Sequence, residues 1–487
     1  MKSIYKIMLS LIFLASVTAC DEYLDVNENP NDLVEVPSGD LLLRGTLLAN
    51  AQVQQGQLAR TSMYYTGGLI GVQLVQQTLY NYDYTPGDSN AVWGFIYNGI
   101  LVQNKEMRRL SPEIGFLQGI VDVNEALAVG TATSLFGDIP YSAAVPDNPG
   151  LDSEDPTLDA QVDIYTALQT LLDGAIPKLQ DGSITPSLAT ADAEVNVDNY
   201  FVGDRDKWIA AAYTLKARYY LQTKQYAQAL ANVVNGINDA SGTMNYNPEG
   251  EVNGDSNILF NFVNSSRAED MTGDGAFYRD LMDPDNVDSR NNAKTDETAR
   301  RAYSYISGDG SQESSIEEDL FNGIDGPATP MKLVSYEENL LIWAECLIRA
   351  NNDVQGAVDK LNELRVYLNS GEAFNLMNTD DTFLYDSYVL ADFEAGGMEN
   401  TDNIATDRAV LREIIEERYV TGFSTYMPFN DVRRLRTETD LIVPFPLNNA
   451  TTTVNPQRFL YAQEEINNNS NLPNPIPDLF TPTPVNQ

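Results

Sequence analysis

A run of alternating aromatic and polar residues, Tyr80-Asn81-Tyr82-Asp83-Tyr84, offers the clearest binding chemistry in the sequence. In an extended segment successive side chains point to opposite sides, so the three tyrosines would share one side, with Asn81 and Asp83 between them. Flat rings contribute stacking faces, while amide and carboxylate groups make hydrogen bonds. The pattern predicts a ligand-binding platform, and its alternative is a half-buried strand or a packed loop.

A second aromatic group lies in the long polar segment 240–330. It consists of Phe277-Tyr278-Arg279 together with Tyr303 and Tyr305. The segment is rich in Asp, Asn, Gly, Ser and Pro, which predicts loops rather than periodic elements. Long loops in a compact domain are often functional, so we treat this group as a second candidate, with loop packing as its alternative.

The missing residue types exclude several kinds of enzyme. The sequence has no histidine and two cysteines, which excludes Ser-His-Asp and Cys-His nucleophiles, histidine-bound zinc and haem, and imidazole acid–base chemistry. Hydrolysis by paired carboxylates stays open as an alternative because the chain has 70 Asp and Glu. Nothing in the sequence singles out one pair, so a carboxylate-dependent hydrolase is the disfavoured alternative.

The charge of the chain limits its partners. The formal net charge is −40 at pH 7, and a field of that sign repels phosphate backbones and anionic lipid head groups. We therefore expect no nucleic-acid partner. A membrane contact would have to come from another feature of the chain.

The N-terminus supplies such a feature. Lys2 and Lys6 precede an apolar run over 7–17 that is too short to cross about 30 Å of hydrocarbon as a helix, so residues 1–19 are predicted to be a signal peptide. The residues before Cys20 resemble a bacterial lipobox, which predicts a lipid on Cys20; an ordinary signal peptide is the alternative. Cleavage there makes the net charge −42. Cys346, in an apolar run, is predicted to be a small buried residue.

Two stretches show the helix pairing of tetratricopeptide repeats. The first has a helical face over 208–219, a turn at 223–225 and a second periodic run over 226–237. The second repeats the arrangement over 333–348 and 357–368 with a turn at 351–353. A further helix from about Gly119 to Leu135 is expected to pair with one around Trp93 to Leu110. Trp93, Trp208 and Trp343 are expected to pack in these helices.

Two other segments carry weaker predictions. Residues 270–275 begin like a calcium loop, but the twelfth position is Leu281, which is no calcium ligand, so an EF-hand is not predicted. No cofactor is expected, and a structural calcium in an acidic loop stays an alternative. The Pro- and Asn-rich tail from Asn467 is predicted to be extended or disordered.

Six short motifs follow one another along the chain. They are Cys20-Asp21-Glu22 through Asn29-Pro30; Gly137-Asp138-Ile139-Pro140-Tyr141-Ser142; Lys207-Trp208 with Arg218; Glu337 to Glu345 with Leu361, Asn362 and Arg365; Glu413 to Arg418 with Asp431 to Arg434; and Arg458 to Tyr461 with Glu464 to Asn467. In this order they resemble the motifs of SusD/RagB-family outer-membrane lipoproteins of Bacteroidetes, SusD-like proteins that bind nutrients. Each motif alone is weak. Their shared order over most of the chain carries the resemblance.

The resemblance implies a fold. It is a mainly α protein in which about four tetratricopeptide-like helix pairs support a large irregular ligand-binding half with long loops and a few short strands. Residues 20–487 would form one domain with a lipidated tether over about 20–35. The helix pairs are expected within about 93–135, 205–238, 331–369 and 407–436, and the ligand-facing insertions at about 60–92 and 240–330.

The resemblance also implies a function. Such proteins are non-enzymatic lipoproteins on the extracellular face of the outer membrane; they capture oligosaccharides and deliver them to a SusC-like TonB-dependent transporter. The ligand contacts would come from Tyr80, Asn81, Tyr82, Asp83, Tyr84, Tyr278, Arg279 and Tyr305. The negative charge favours a neutral glycan, unless Arg267, Arg279, Arg290, Arg300 and Arg301 converge at the site. A repeat lipoprotein that binds peptides or proteins is the alternative.

Overall fold

The computed structural model describes residues 39–145, 155–180, 187–189, 194–251, 254–262, 270–304, 323–324, 326–374, 382–441 and 447–487, with the backbone alone at 187–189 and 194–196. The predicted signal peptide, Cys20 and Tyr305 lie outside these residues. The predicted mainly α-helical fold is confirmed.

Helices form most of the described structure. The longer helices are α1 (Asp40–Gln55), α2 (Gln57–Tyr65), α3 (Leu74–Tyr80), α4 (Asn90–Gly94), α5 (Val102–Leu110), α6 (Gly115–Phe136), α7 (Gln161–Gln180), α8 (Arg205–Gln222) and α9 (Tyr226–Val233). They continue with α10 (Ile258–Phe260), α11 (Phe277–Met282), α12 (Thr298–Ser304), α13 (Tyr336–Asn351), α14 (Val354–Leu368), α15 (Thr406–Thr421), α16 (Met427–Arg434) and α17 (Gln463–Asn468). A π-helical stretch, Phe95–Leu101, joins α4 to α5.

Side-chain caps fix the ends of the repeat helices. The Asp204 carboxylate accepts hydrogen bonds from the first backbone N–H groups of α8, and Ser335 Oγ accepts one from Glu338 N at the start of α13. Helix α13 ends before Asn352, whose φ of +56° suits an asparagine. Asp353 then caps α14. Both predicted turns therefore lie between paired helices.

The helices pack as antiparallel neighbours along the chain. Helix α8 packs on α9, α13 on α14, and α15 on α16, and successive pairs touch through α9 and α13 and through α13 and α15. The most extensive contact joins α6 to α7. Helix α6 was expected to pair with the helix around Trp93 to Leu110; it also touches that segment, but α7 is its main partner.

A glycine allows the close approach of α6 to α8. A Cβ built on Gly130 would lie 2.3 Å from the ring of Tyr219, and the Tyr219 hydroxyl donates a hydrogen bond of 2.6 Å to the carbonyl of Ala126. The helix surfaces are in contact at this point, so a side chain larger than hydrogen has no room.

Short antiparallel strand pairs join the loops of the irregular half to each other and to the repeats. Among the described residues they are β1 (Ile70–Gly71) with β7 (Met271–Thr272), β2 (Ile139–Pro140) with β3 (Leu158–Asp159), β4 (Ser187–Ala189) with β5 (Glu194–Asn196), β6 (Met244–Tyr246) with β9 (Met331–Val334), and β8 (Thr295–Asp296) with β10 (Leu384–Tyr385). The β1 and β7 pair connects the two insertions that the sequence places far apart.

The core contains most of the residues expected there. Trp208 and Cys346 are fully buried, and Trp93 is buried with its ring 4.9 Å from that of Tyr97. Trp343 on α13 is half-buried and packs against a smaller apolar cluster that contains Ile342 and Cys346. The Lys360 ammonium lies 3.8 Å from the centre of its ring, a cation–π contact.

The C-terminal segment is mostly irregular and packed, which agrees with the extended alternative of its prediction and not with the disordered one. Leu479, Thr483 and Asn486 are buried. Val485 N donates to Gln161 Oε1 at 3.0 Å, and Arg436 Nε donates to the Asn486 carbonyl at 2.6 Å. The irregular C-terminal chain therefore packs against α7 and α16. Its composition alone does not show that the rest of the protein offers a surface for it to pack on.

Candidate functional site

The Tyr80-to-Tyr84 segment is not extended, so the predicted arrangement of its rings is wrong. Tyr80 is the last residue of α3, and Tyr82 has a left-handed backbone with a φ of +69°. The side chains therefore do not alternate as they would in a strand, and the three rings do not share one exposed side.

Tyr82 and Tyr84 are both about 6% exposed. The Tyr82 ring makes an edge contact with Tyr65 at 5.5 Å, and the Tyr84 ring makes one with Phe459 at 5.1 Å. Burial raises the pKa of both hydroxyls. Their ring faces pack against protein, which corrects their predicted role as exposed stacking platforms.

The exposed part of this segment is smaller, and we call it the Tyr80 surface. It consists of Tyr80 and Asn81, which are half-buried, and Asp83, which is exposed. Asn448 and Asn449 support it from below: the Asn448 amide donates to the Tyr80 carbonyl at 3.2 Å, and the Asn449 amide donates to the Asn81 carbonyl at 2.8 Å. Sequence reasoning missed these two asparagines, since they lie more than 360 residues away.

The start of α3 extends this region with apolar side chains. Leu74 is 63% exposed and has a φ of +51°, a conformation that costs a residue with a side chain about 1 kcal/mol or more. Val72 and Val75 beside it are also exposed. Strained, exposed apolar residues of this kind are more common at binding surfaces than elsewhere.

The second predicted group is divided between the interior and the surface. Tyr278 is buried, stacked on Phe423 at 4.2 Å, with its hydroxyl 3.0 Å from Ser304 Oγ. Its ring therefore lies in the interior, where it lines a cavity, and not at an exposed face. Arg279 is half-buried and pairs with Asp274. Tyr305 lies outside the described residues.

Two of the arginines of the second insertion lie in the interior and not at an exposed face. Arg290 and Arg300 are buried in a cluster of carboxylates, with Arg290 contacting Glu297, Glu413, Glu416 and Glu417, and Arg300 contacting Glu297 and Glu417. Arg301 pairs with Asp283 at 3.2 Å. Arg267 lies outside the described residues.

We call this buried group the Arg290 cluster, and the pKa values of two of its carboxyl groups are shifted in opposite directions. Burial and the neighbouring Glu399 raise the pKa of Glu413 well above its usual value. Burial alone would raise the pKa of Glu417 too, but Arg300 and Arg290 lower it to about 2. A buried cluster of paired charges of this kind is first of all a structural element.

A cavity of about 120 Å³, which we call the inner cavity, opens between the repeat helices and the second insertion. Its walls come from α12, α13, the segment 330–335, the end of α14 and the turn after α15. Buried charged side chains and several aromatic rings line it. Sequence reasoning did not identify it, because its lining comes from segments that are separated by long loops.

Two features of the described residues bear on the kind of site. Within the described ranges, no group of three Asp, Glu or Cys side chains is arranged to hold a metal ion. None of the helices found there has the length and apolar character needed to cross a membrane. Neither result identifies a catalytic centre, and the candidate sites are therefore the Tyr80 surface and the inner cavity.

Comparison with known proteins decides the family. The profile of a SusD-like family, described as starch-binding and associating with the outer membrane, matches residues 30–427. The chain belongs to the SusD-like family. No curated protein sequence matches it.

Solved SusD-like structures share the fold at low identity. A SusD/RagB family protein from Bacteroides thetaiotaomicron aligns with a TM-score of 0.61 and 18% identity, covering 93% of this chain and 99% of that one. A chitin-binding SusD homologue from Flavobacterium johnsoniae aligns with a TM-score of 0.60 and 17% identity, covering 88% and 94%. A SusD homologue from Bacteroides fragilis aligns with a TM-score of 0.61 and 15% identity, covering 92% and 100%. At these identities the SusD-like structures establish the fold of this chain.

Proposed function

We propose that this chain is a glycan-binding lipoprotein of the outer membrane that captures oligosaccharides and passes them to a SusC-like TonB-dependent transporter. The observation that carries the proposal is the match of a starch-binding, outer-membrane family to most of the chain. A solved relative with the same fold is described as chitin-binding. Family members are binding proteins, and we propose the same for this chain, without enzymatic activity.

The Tyr80 surface is the proposed point of contact with the glycan. It combines one partly exposed ring with an amide and a carboxylate, the groups that stack on a pyranose and bind its hydroxyls. A single ring contributes only about 0.5–1.5 kcal/mol beyond the burial of its area. Weak binding of each sugar unit suits capture followed by release.

Binding of a peptide or protein is the second candidate. The burial of Tyr82 and Tyr84 favours it, because two of the three proposed stacking rings are unavailable to a sugar. Exposed Val72, Leu74 and Val75 beside the Tyr80 surface are also more suited to an apolar peptide side chain than to a sugar hydroxyl.

A binding experiment separates the two candidates. Isothermal titration of the mature chain against starch and chitin oligosaccharides should show binding to at least one of them. Tyr80→Ala combined with Asn81→Ala should weaken it about tenfold, since a ring and an amide are lost. The matched control is Tyr213→Ala, a half-buried tyrosine on α8. Binding of a random peptide library and of no glycan would favour the second candidate.

The anchor and the transporter need a test in cells. Cys20→Ala should release the protein from the outer membrane, and protease treatment of intact cells should degrade the wild-type protein if it faces outward. A transporter should co-purify with the detergent-extracted protein. Retention of the Cys20→Ala protein in the membrane would contradict lipid anchoring.

A further inference from the structure

One buried arginine lies apart from the acidic residues of the chain. Arg60, on α2, is 9% exposed, and within the described residues its guanidinium makes neither an ion pair nor a hydrogen bond. Burial lowers the pKa of Arg60 to about 10, and the Tyr64 hydroxyl opposes this shift. A buried charge without a counter-ion destabilises a fold. Its presence in a chain with 70 Asp and Glu therefore points to a role other than folding.

Other buried arginines of the described structure show how this chain satisfies a guanidinium without an acid. Three of them make no ion pair there, and each donates to backbone carbonyl oxygens instead. Arg365 donates to the carbonyl of Asp386 at 2.7 Å, Arg433 to that of Ser134 at 2.9 Å, and Arg458 to that of Phe136. Arg60 has no such acceptor among the described residues, so its donors are available to another molecule.

The open nitrogens of Arg60 lie beside an aromatic ring. Its guanidinium carbon is 3.5 Å from the centre of the Phe262 ring, and Phe262 is half-buried. Nε of Arg60 is enclosed by protein and unsatisfied. Nη1 and Nη2 also lack a partner in the described part of the chain, but they are not among the enclosed atoms, so solvent reaches them. A ligand can therefore bind these two nitrogens.

Arg60 is connected to the Tyr80 surface through its own helix. Arg60 and Tyr64 are four residues apart on α2, which places them on the same side of the helix and about 6 Å apart along its axis. The Tyr64 ring makes an edge contact with the Tyr80 ring at 6.4 Å. Arg60 therefore lies one helical turn from a residue that touches Tyr80.

The chemistry of a guanidinium selects the group that it binds. Arginine has N–H donors and no acceptor, so its best partner is a group that only accepts. A hydroxyl also has a hydrogen to donate, which a guanidinium cannot accept. A carboxylate only accepts, but the net charge of −40 disfavours the approach of an anion. On a neutral sugar, the group that meets both conditions is the carbonyl of an acetamido substituent, whose methyl group can contact Phe262.

We propose that Arg60 binds the acetamido carbonyl of an N-acetylated sugar unit through Nη1 and Nη2. The choice of a sugar rests on the proposed function. Arg60 then determines the class of glycan, because it favours oligosaccharides that contain N-acetylhexosamine over those made of glucose alone. The ligand supplies the acceptor that the chain itself supplies to Arg365, Arg433 and Arg458.

The chemistry of the ligand is tested with two tetrasaccharides on the wild-type mature chain. Chitotetraose and cellotetraose share one backbone and differ in an acetamido group or a hydroxyl on each ring. Isothermal titration should show chitotetraose binding at least about tenfold more tightly. Equal binding of the two would overturn the proposal. Tighter binding of glucuronate than of N-acetylglucosamine would show a carboxylate site and overturn it as well.

The location is tested by Arg60→Met, which removes the donors and keeps most of the length. It should weaken binding of chitotetraose about tenfold or more and leave that of cellotetraose unchanged. The matched control is Arg109→Met, at an exposed position of α5, which should bind as the wild type does. Unchanged binding of chitotetraose by Arg60→Met would overturn the location.

Stability separates a binding arginine from a structural one. Arg60→Met should unfold at the same urea concentration as the wild type or at a higher one, since it removes a buried charge without a counter-ion. Arg433→Met should unfold at a lower concentration, because it leaves buried carbonyls without their donor. A urea midpoint of Arg60→Met as low as that of Arg433→Met would show a structural arginine and overturn the proposal.

The outcome for the proposed function is read separately with N-acetylglucosamine. If this monosaccharide binds in an Arg60-dependent way while no oligosaccharide binds, the proposed function is contradicted and the Arg60 site is not. If starch oligosaccharides bind, chitotetraose binds no better than cellotetraose, and Arg60→Met changes nothing, the Arg60 site is contradicted and the proposed function is not.

Discussion

The motif residues of this chain act mainly through buried ion pairs. Arg434 donates to both carboxylate oxygens of Glu345 at 2.6 and 2.9 Å, and it also contacts Asp431 at 2.8 Å. Arg218 contacts Glu338 at 2.6 Å. Burial would raise the pKa of Glu345, but Arg434 and Arg349 lower it to about 2. These contacts fasten α8 and α16 to α13, so the charged motif residues hold the helix pairs together.

Removing one member of such a pair should be costly. Arg434→Met leaves the Glu345 carboxylate buried with Arg349 as its remaining partner, and we expect a loss of about 3–5 kcal/mol in the free energy of unfolding, measured with urea. The control is Arg109→Met, which breaks an exposed pair with Glu106 and should change it by less than about 1 kcal/mol. Similar losses for both variants would contradict a structural role for the buried pair.

The Arg290 cluster should make stability depend on pH. The pKa of Glu413 is raised in the folded chain. At pH values above the usual pKa of a glutamate, the unfolded chain has therefore released the Glu413 proton while the folded chain still holds it. Stability is therefore lost as the pH rises through the range between the two values, by at most about 1.4 kcal/mol per pH unit. Glu413→Gln should flatten this slope at pH values above the usual pKa of a glutamate, measured as the urea midpoint.

Glu417 supplies the contrasting control. Its pKa is lowered to about 2, so its contribution is present above the unfolded pKa and is lost as the pH falls toward 2. Glu417→Gln should therefore destabilise the chain at neutral pH, where Glu413→Gln leaves Arg290 with three other carboxylates. A Glu413→Gln variant with the slope of the wild type would contradict the proton on Glu413.

At the scale of elements, the sequence predicted what is local and periodic. The turns at 223–225 and 351–353 follow from the helical spacing on either side of them, and the structure has both. The prediction of an extended Tyr80 segment was wrong because alternating residues form a strand only when a partner strand exists. Here α3 extends to Tyr80 instead. Its support by Asn448 and Asn449, and the lining of the inner cavity, depend on contacts between distant segments that no local pattern encodes.

The contact of α6 with α8 allows a sharp test at the same scale. Gly130→Ala places a methyl group against Tyr219 and should destabilise the chain by about 1–3 kcal/mol, since the core has no space for it. The control is Gly174→Ala in α7, where a Cβ meets nothing within 4 Å. That change should stabilise by about 0.5–1 kcal/mol through helix propensity. Effects of the same sign in thermal unfolding would contradict this packing.

At the scale of the whole molecule, a segment near the C-terminus binds the segment that follows α6. Arg458 donates to the carbonyl of Phe136, and the Tyr461 hydroxyl donates to that of Asp138 at 2.7 Å. The second and the last of the six motifs therefore meet, although about 320 residues separate them. Each of these two motifs is short and unspecific by itself, but its residues bind those of the other motif in the folded chain. The set of motifs in order therefore predicted the fold better than any single motif did.

The net charge of −40 should decide which glycans reach the binding surface. A polyanion approaching this chain is repelled over a distance that falls from about 30 Å at 0.01 M salt to about 8 Å at 0.15 M. We therefore expect starch to bind equally at both salt concentrations. Carboxymethyl starch should bind more weakly than starch at 0.01 M salt and recover part of the difference at 0.15 M, measured by isothermal titration.

One exposed carboxylate tests where this repulsion acts. Asp83→Asn removes a charge from the Tyr80 surface, while Asp206→Asn removes one from an exposed position at the start of α8. If the glycan contacts the Tyr80 surface, Asp83→Asn should improve binding of carboxymethyl starch at low salt more than Asp206→Asn does, because the field of a charge is strongest at contact distance. Tighter binding of the anionic polymer than of starch at low salt would mean that cations line the site, and it would contradict the selection of neutral glycans by charge.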